Sequence, residues 1–181
     1  MDLVARNDAI CKPCEPCFRP SLRRKSARHP ACLGGNLLSI IRVLVVDDYE
    51  PWMTFVSAVL ATSPQFQVVG QAGNGLTALQ KVVELKPDLV VLDIGLPDIS
   101  GIEVAQRIME LSPDVRILFL TENTAPDLVR AALLTGARGY VVKSFAGREL
   151  MHALDALLLD CYFVSAAANH FGRGNGPFSN A

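Results

Sequence analysis

Five residues share one kind of position. Asp47, Asp48, Asp93, Thr121 and Lys143 all stand at the carboxyl ends of short apolar runs. The doublet Asp47-Asp48 closes "IRVLVV", Asp93 closes "PDLVVL", Thr121 ends "VRILFLT" and Lys143 follows "GYVV". Two like charges ~4 Å apart repel by roughly 4 kcal/mol at an effective dielectric near 20. Three carboxylates together therefore call for positive charge. A hard divalent cation takes oxygen ligands. Mg²⁺ in particular uses one or two carboxylates, keeps several waters and completes its shell with phosphate oxygens. A lysine opposite adds a second positive charge. Taken singly, each residue has a plainer role: the aspartates as loop openers or caps, Thr121 as a helix-proximal cap, Lys143 as a solvated strand end. Their joint placement at matching strand ends is what points to a cation-binding site rather than to five separate structural roles.

The elements that must position these residues are legible from periodicity. Runs of strand length occur at 41–46, 66–70, 89–92, 115–120 and 138–142, and a segment with helical spacing follows each. The first helix repeats at Trp52, Phe55, Val56, Val59 and Leu60, with Pro51 in its first turn. The second carries Leu76, Leu79, Val82 and Val83, and the third Ile102, Ala105 and Ile108. The fourth is expected to start at a Thr124 cap with Pro126 in its first turn, and to stop at Gly136. The fifth has an apolar stripe of Leu150, Ala153, Leu154, Leu157 and Leu158. Five strands alternating with five helices predict an α/β domain with a doubly wound, five-stranded parallel sheet. Ligands of such sheets bind beyond the carboxyl ends of the strands. The five residues stand there.

Composition agrees with one folded domain. Half of the 181 residues are apolar, and the net charge of -1 divides into +4 over residues 1–39 and -5 over residues 40–181. The globular part has no basic footprint for nucleic acid. No apolar run approaches the ~20 residues of a membrane span, and "ALDALLLDCYFV" is cut by Asp155 and Asp160. The leader has no signal-peptide pattern, so a cytoplasmic protein is expected. Residues 1–39 read as a disordered leader rich in Cys, Arg and Pro, and residues 160–181 as a short tail. In the leader, Cys11, Cys14 and Cys17 have a C-x₂-C-x₂-C spacing, with Cys32 as a conceivable fourth ligand. Ser21 stands where a ferredoxin-type motif needs cysteine.

The segments "VLVVDD", "VLDIGLPDISG", "LFLTEN" and "GARGYVVKS" resemble the receiver domain of two-component response regulators, over roughly residues 41–159. "DLVVLDIGLPDISGIEV" and "GARGYVVKS" resemble most the NarL/FixJ subfamily, which normally carries a LuxR-type DNA-binding domain. The resemblance implies the flavodoxin-like receiver fold and a set of roles. Asp93 would accept a phosphoryl group from a phosphohistidine of a sensor histidine kinase or phosphotransfer protein. Asp48 and Asp93 would bind Mg²⁺ by side chain, Gly95 by its backbone carbonyl, and Asp47 through a water. Lys143 would pair with a phosphoryl oxygen, and Thr121 would donate its hydroxyl and move toward the group. Tyr140 would swing inward as Thr121 moves. Such a chain is a signalling acceptor and not an enzyme. Its output would run through protein contacts, with the face of the fourth helix, fifth strand and fifth helix as a partner or homodimer surface.

Two features depart from that pattern. Glu122 follows the switch threonine where a small residue is usual, and a carboxylate there would repel a phosphoryl group unless it points away. The 22 residues after Leu159 are too few, and too poor in Arg and Lys, for a helix-turn-helix module. Direct nucleic-acid binding is therefore not expected of this chain. The alternatives are a truncated LuxR-type transcription regulator and a non-phosphorylated receiver-like docking module.

Overall fold

The computed structural model describes residues 40–168. The leader with Cys11, Cys14, Cys17 and Cys32, and the last thirteen residues, 169–181, lie outside the described residues. The elements are β1 (Ile41–Val46), α1 (Glu50–Ala61), β2 (Phe66–Ala72), α2 (Gly75–Leu85), β3 (Leu89–Leu92), α3 (Gly101–Leu111), β4 (Arg116–Thr121), α4 (Pro126–Leu134), β5 (Gly139–Val142), a 3₁₀ turn (Lys143–Phe145), α5 (Ala146–Leu158) and β6 (Phe163–Val164). The strands form one sheet in the order β2-β1-β3-β4-β5-β6, and every pair is parallel. The order reverses direction between β1 and β3. That switch point opens a crevice above the ends of these two strands, which carry Asp47-Asp48 and Asp93.

The two-residue period of a strand sorts the core into two layers. Val43 and Val45, Leu89 and Val91, Leu118 and Leu120, and Val141 pack with Val56 and Leu60 of α1 and Leu150, Leu154 and Leu157 of α5. Leu44 and Val46, Val90 and Leu92, Ile117 and Phe119, and Tyr140 and Val142 pack against α2, α3 and α4. Extending the alternation past the strand ends places Asp47, Asp93 and Lys143 on the α1/α5 side. Thr121 shares the parity of Phe119, on the other side with Tyr140. The sheet's pleat thus divides the site residues into two groups.

Helix starts follow local chemistry. Asn74 caps α2 by accepting from Thr77 N at 2.8 Å. Asp98, from the loop after β3, accepts from Gly75 N at 2.7 Å and Leu76 N at 2.9 Å on the same helix end. The Leu76 and Gly75 N–H groups hold its carboxyl below the ordinary carboxylate range. The expected Thr124 cap of α4 is not used. The N-cap is Ala125, with Pro126 at the first helical position, and Asn123 Oδ1 accepts from Ala125 N at 2.8 Å instead. Proline needs no donor partner there, which makes a side-chain cap dispensable. Gly136, with φ +96°, reverses the chain after α4 as expected.

The sheet has six strands where five were expected. After α5 the chain returns along the free edge of β5. Phe163 N donates to Arg138 O at 2.9 Å and Ser165 N to Tyr140 O at 2.8 Å. The fully buried Ser165 hydroxyl donates to Glu149 Oε2, and its oxygen accepts from Val142 N at 3.0 Å. This side chain thus serves as an acceptor for a buried β5 N–H. Ser165→Ala leaves that N–H without its acceptor. It is expected to lower stability by about 1–3 kcal/mol, read as a lower urea midpoint at unchanged slope.

Candidate functional site

The ends of β1, β3, β4 and β5 meet at one open cleft. Asp48, Trp52, Asp93, Thr121, Glu122 and Lys143 are among its lining residues. The structure brings together the three carboxylates read from the sequence. Asp47, Asp48 and Asp93 each present an oxygen within 4.8 Å of the others. Asp47 and Asp93 are buried at 3% and 7% exposure, while Asp48 is exposed. An all-oxygen set with one solvent-facing member suits a hard cation that retains water.

Lys143 is itself buried and bridges the two inner carboxylates. Its Nζ lies 2.7 Å from Asp47 Oδ2 and 3.1 Å from Asp93 Oδ2. The other oxygen of each carboxylate meets backbone. Asp47 Oδ1 accepts from Tyr49 N at 3.0 Å, and Asp93 Oδ1 accepts from Ile94 N at 2.7 Å. Both side chains are therefore fixed in orientation. The Lys143 ammonium also lies over the Trp52 indole, 5.4 Å from nitrogen to ring centroid. In the sequence Trp52 is only one position in the apolar stripe of the first helix. Its cleft-facing role shows once α1 is set beside the ends of β1 and β5.

Three carboxylates against one ammonium leave the pocket with net negative charge. Three groups in and beside it, Asp47, Lys143 and Tyr140, hold their protons more tightly than usual, for different reasons. Burial raises the Asp47 carboxyl, and the bond from Lys143 offsets only part of that. Burial alone would lower the Lys143 ammonium, but the Asp47 hydrogen bond and the Asp93 charge outweigh it and raise it. Burial, then the Asp93 charge, pushes the Tyr140 phenol up to about 12.

Tyr140 lies wholly inside the protein, 0% exposed, and packs against Phe119. Its hydroxyl donates to Asn123 O at 2.8 Å. That bond ties β5 to the loop that follows Thr121, and Asn123 N in turn approaches Thr121 Oγ1 at 3.4 Å. The sequence singled out Tyr140 but carried no signal for its carbonyl partner. Glu122 is exposed at the cleft rim.

The Tyr140 shift makes a pH prediction. A group whose folded pKa exceeds its unfolded value stabilises fully below the unfolded value. The contribution is complete below pH 10.0 and is lost as pH climbs toward about 12. Urea midpoints are expected to fall across that window. Tyr140→Phe should flatten the part due to the phenol while costing about 0.5–1.5 kcal/mol at neutral pH for the lost hydrogen bond.

Comparison with known proteins agrees with this geometry. A family model described as the response regulator receiver domain matches residues 43–155. The DNA-binding transcriptional activator DevR/DosR of Mycobacterium tuberculosis is 39% identical over 115 residues, covering 64% of this chain and 53% of that protein. The virulence factors putative positive transcription regulator BvgA of Bordetella pertussis is 34% identical over 141 residues, covering 77% of this chain and 67% of that one. The chain thus spans about half to two thirds of the length of these curated relatives. A crystal structure of a LuxR-family two-component response regulator from Aurantimonas sp. SI85-9A1 superposes with a TM-score of 0.66 at 31% identity, covering 70% of this chain and 90% of that one. No helix among the described residues is long and apolar enough to cross a membrane. The chain belongs to the family of response regulator receiver domains, and the relatives named above are regulators of the NarL/FixJ, LuxR-type group.

Proposed function

We propose that the protein accepts a phosphoryl group on Asp93 from a phosphohistidine of a sensor histidine kinase or phosphotransfer protein. The observation that carries this reading is Asp93 itself. It is a carboxylate fixed by Ile94 N and Lys143 Nζ, lining an open cleft beside two further carboxylates. In the transfer, an Asp93 carboxylate oxygen forms a bond to phosphorus while the histidine nitrogen–phosphorus bond breaks. The imidazole leaves and recovers a proton. Phosphoryl transfer is mostly positioning and charge neutralisation, and a carboxylate serves as nucleophile in forming an aspartyl phosphate. Mg²⁺, when bound, supplies the charge neutralisation that three carboxylates cannot. Asp48 and Asp93 would hold it by side chain and Gly95 by its carbonyl, with Asp47 acting through water. Lys143 pairs with a phosphoryl oxygen, and Thr121 donates its hydroxyl.

The new group adds about -1.5 to -2 charge. Thr121 and Tyr140, on the α4 side of the sheet, carry its effect toward α4. Leu134 at the end of α4 is 71% exposed, and the face of α4, β5 and α5 would serve as the partner or homodimer surface, with β6 lying along its β5 edge. The protein works in the cytoplasm as a signalling acceptor rather than as an enzyme, through phosphorylation-dependent protein contacts. The relatives' longer chains favour one second reading, the receiver part of a LuxR-type transcription regulator. Genomic sequence encoding an in-frame basic helix-turn-helix beyond Ala181 would support it.

The test is intact-mass analysis of the native protein with Mg²⁺, with and without a small phosphodonor, followed by peptide mapping. One phosphoryl group on Asp93 is expected. No label with the cation bound, or label elsewhere, overturns the proposal.

A further inference from the structure

Trp52 is the chain's single tryptophan and stands in the first turn of α1. Its ring is half-buried against the α1/α5 layer and meets Phe55 edge-on, at 5.3 Å and 89°. The same indole lies under the Lys143 ammonium, which is 5.4 Å from the ring centroid. The ammonium is therefore held on three sides, by Asp47, by Asp93 and by the π-face of Trp52. The same ring lines the cleft in which Asp93 lies.

We propose that Trp52 is a positioning residue for the phosphoacceptor site. It holds the Lys143 ammonium toward Asp93 and walls one side of the cleft against water, and so sets how long the phosphoryl group survives. The inference rests on the reading of Asp93 as acceptor. A cation over an indole face is attracted by the ring quadrupole, most strongly when desolvated. Lys143 can exchange a carboxylate oxygen for a phosphoryl oxygen without leaving the ring. Loss of the group is hydrolysis: a water oxygen bonds to phosphorus, the Asp93 oxygen–phosphorus bond breaks, and inorganic phosphate and a proton leave. A ring over Lys143 slows that step by restricting the water's approach and keeping the ammonium paired.

The experiment labels the full chain with Mg²⁺ and a small phosphodonor, removes the donor and follows the label at Asp93 by mass. If the wild-type protein takes no label, the reading of Asp93 fails, and this inference with it. If it labels, Trp52→Leu is expected to lose the group roughly three- to tenfold faster, while Trp52→Phe, which keeps a π-face, stays near the wild-type rate. Equal rates in all three proteins, or equal acceleration by Leu and Phe, overturn the inference. Trp52 emission in the wild-type protein gives a second readout that survives misfolding of either variant. It is expected to shift on labelling, and unchanged emission between labelled and unlabelled protein also overturns the inference.

Discussion

Asp93→Asn is expected to reduce phosphodonor labelling to background while leaving the domain folded. The amide nitrogen and oxygen replace the two carboxylate oxygens without change of shape, and the amide oxygen can still accept from Ile94 N as Asp93 Oδ1 does at 2.7 Å. Lys143 keeps its closer partner, Asp47 Oδ2 at 2.7 Å. What the variant lacks is an anionic oxygen able to bond to phosphorus. Intact mass should therefore show one labelled species for the wild-type protein and none for the variant. Label persisting on Asp47 or Asp48 would show that the wrong carboxylate has been assigned. The same substitution carries an internal electrical control. The Asp93 charge is one of the two causes that push the Tyr140 phenol up to about 12. Removing it should bring the phenol's titration down toward, but not to, its ordinary value, because burial remains. An ultraviolet difference titration reads that shift, and it shows that the variant has kept its pocket intact while losing its acceptor.

Much of this site was legible because strand ends are legible. The runs at 41–46 and 89–92 coincide with β1 and β3, and apolar residues buried on both faces leave little doubt where a parallel strand stops. The polar residue that follows then falls at the sheet's carboxyl edge, whichever helices come next. What the sequence did not reveal depends on partners distant along the chain. β6 has only two residues, and its stretch continues the apolar content of α5. It exists as a strand because β5 offers an unpaired edge and Ser165 can reach Val142 N. Residue type alone points to Thr124 as the α4 cap, and the structure uses Ala125 instead. The proline at the first helical position had already removed one orphan donor, and Asn123 took the neighbouring one. Trp52 fitted a helical stripe and was absorbed by it. Nothing in a stripe says that one of its members faces a buried ammonium.

By resemblance to the family's loop after the phosphorylated aspartate, Gly101 is expected to open the third helix, ordinary loop punctuation being the plainer reading, and the structure adds a sharper role. It opens α3, and its N–H donates to Ile94 O at 2.9 Å. That bond brings the helix start against the backbone that carries the acceptor. A Cβ at position 101 would lie 2.0 Å from Asp93 O and 2.8 Å from Ile94 Cα. Both are backbone atoms, so no rotamer change can relieve the contact. Either α3 withdraws or the Asp93–Ile94 segment moves. Gly101→Ala is therefore expected to destabilise the domain by about 3 kcal/mol or more, at the top of the range for overpacking. It should also slow labelling of the fraction that remains folded, because the displaced segment holds Asp93 in register with Lys143. Gly147→Ala provides the contrast. Nothing lies within 4 Å of a Cβ there, inside α5, and the change should stabilise by about 0.5–1 kcal/mol. Urea denaturation ranks the three proteins, and labelling rates measured well below the lowest midpoint separate geometry from global stability. A Gly101→Ala protein with wild-type midpoint and rate would mean that the close seating of α3 does not position the phosphoacceptor. Slowed labelling in a still-folded protein would tie the site's geometry to a single missing side chain.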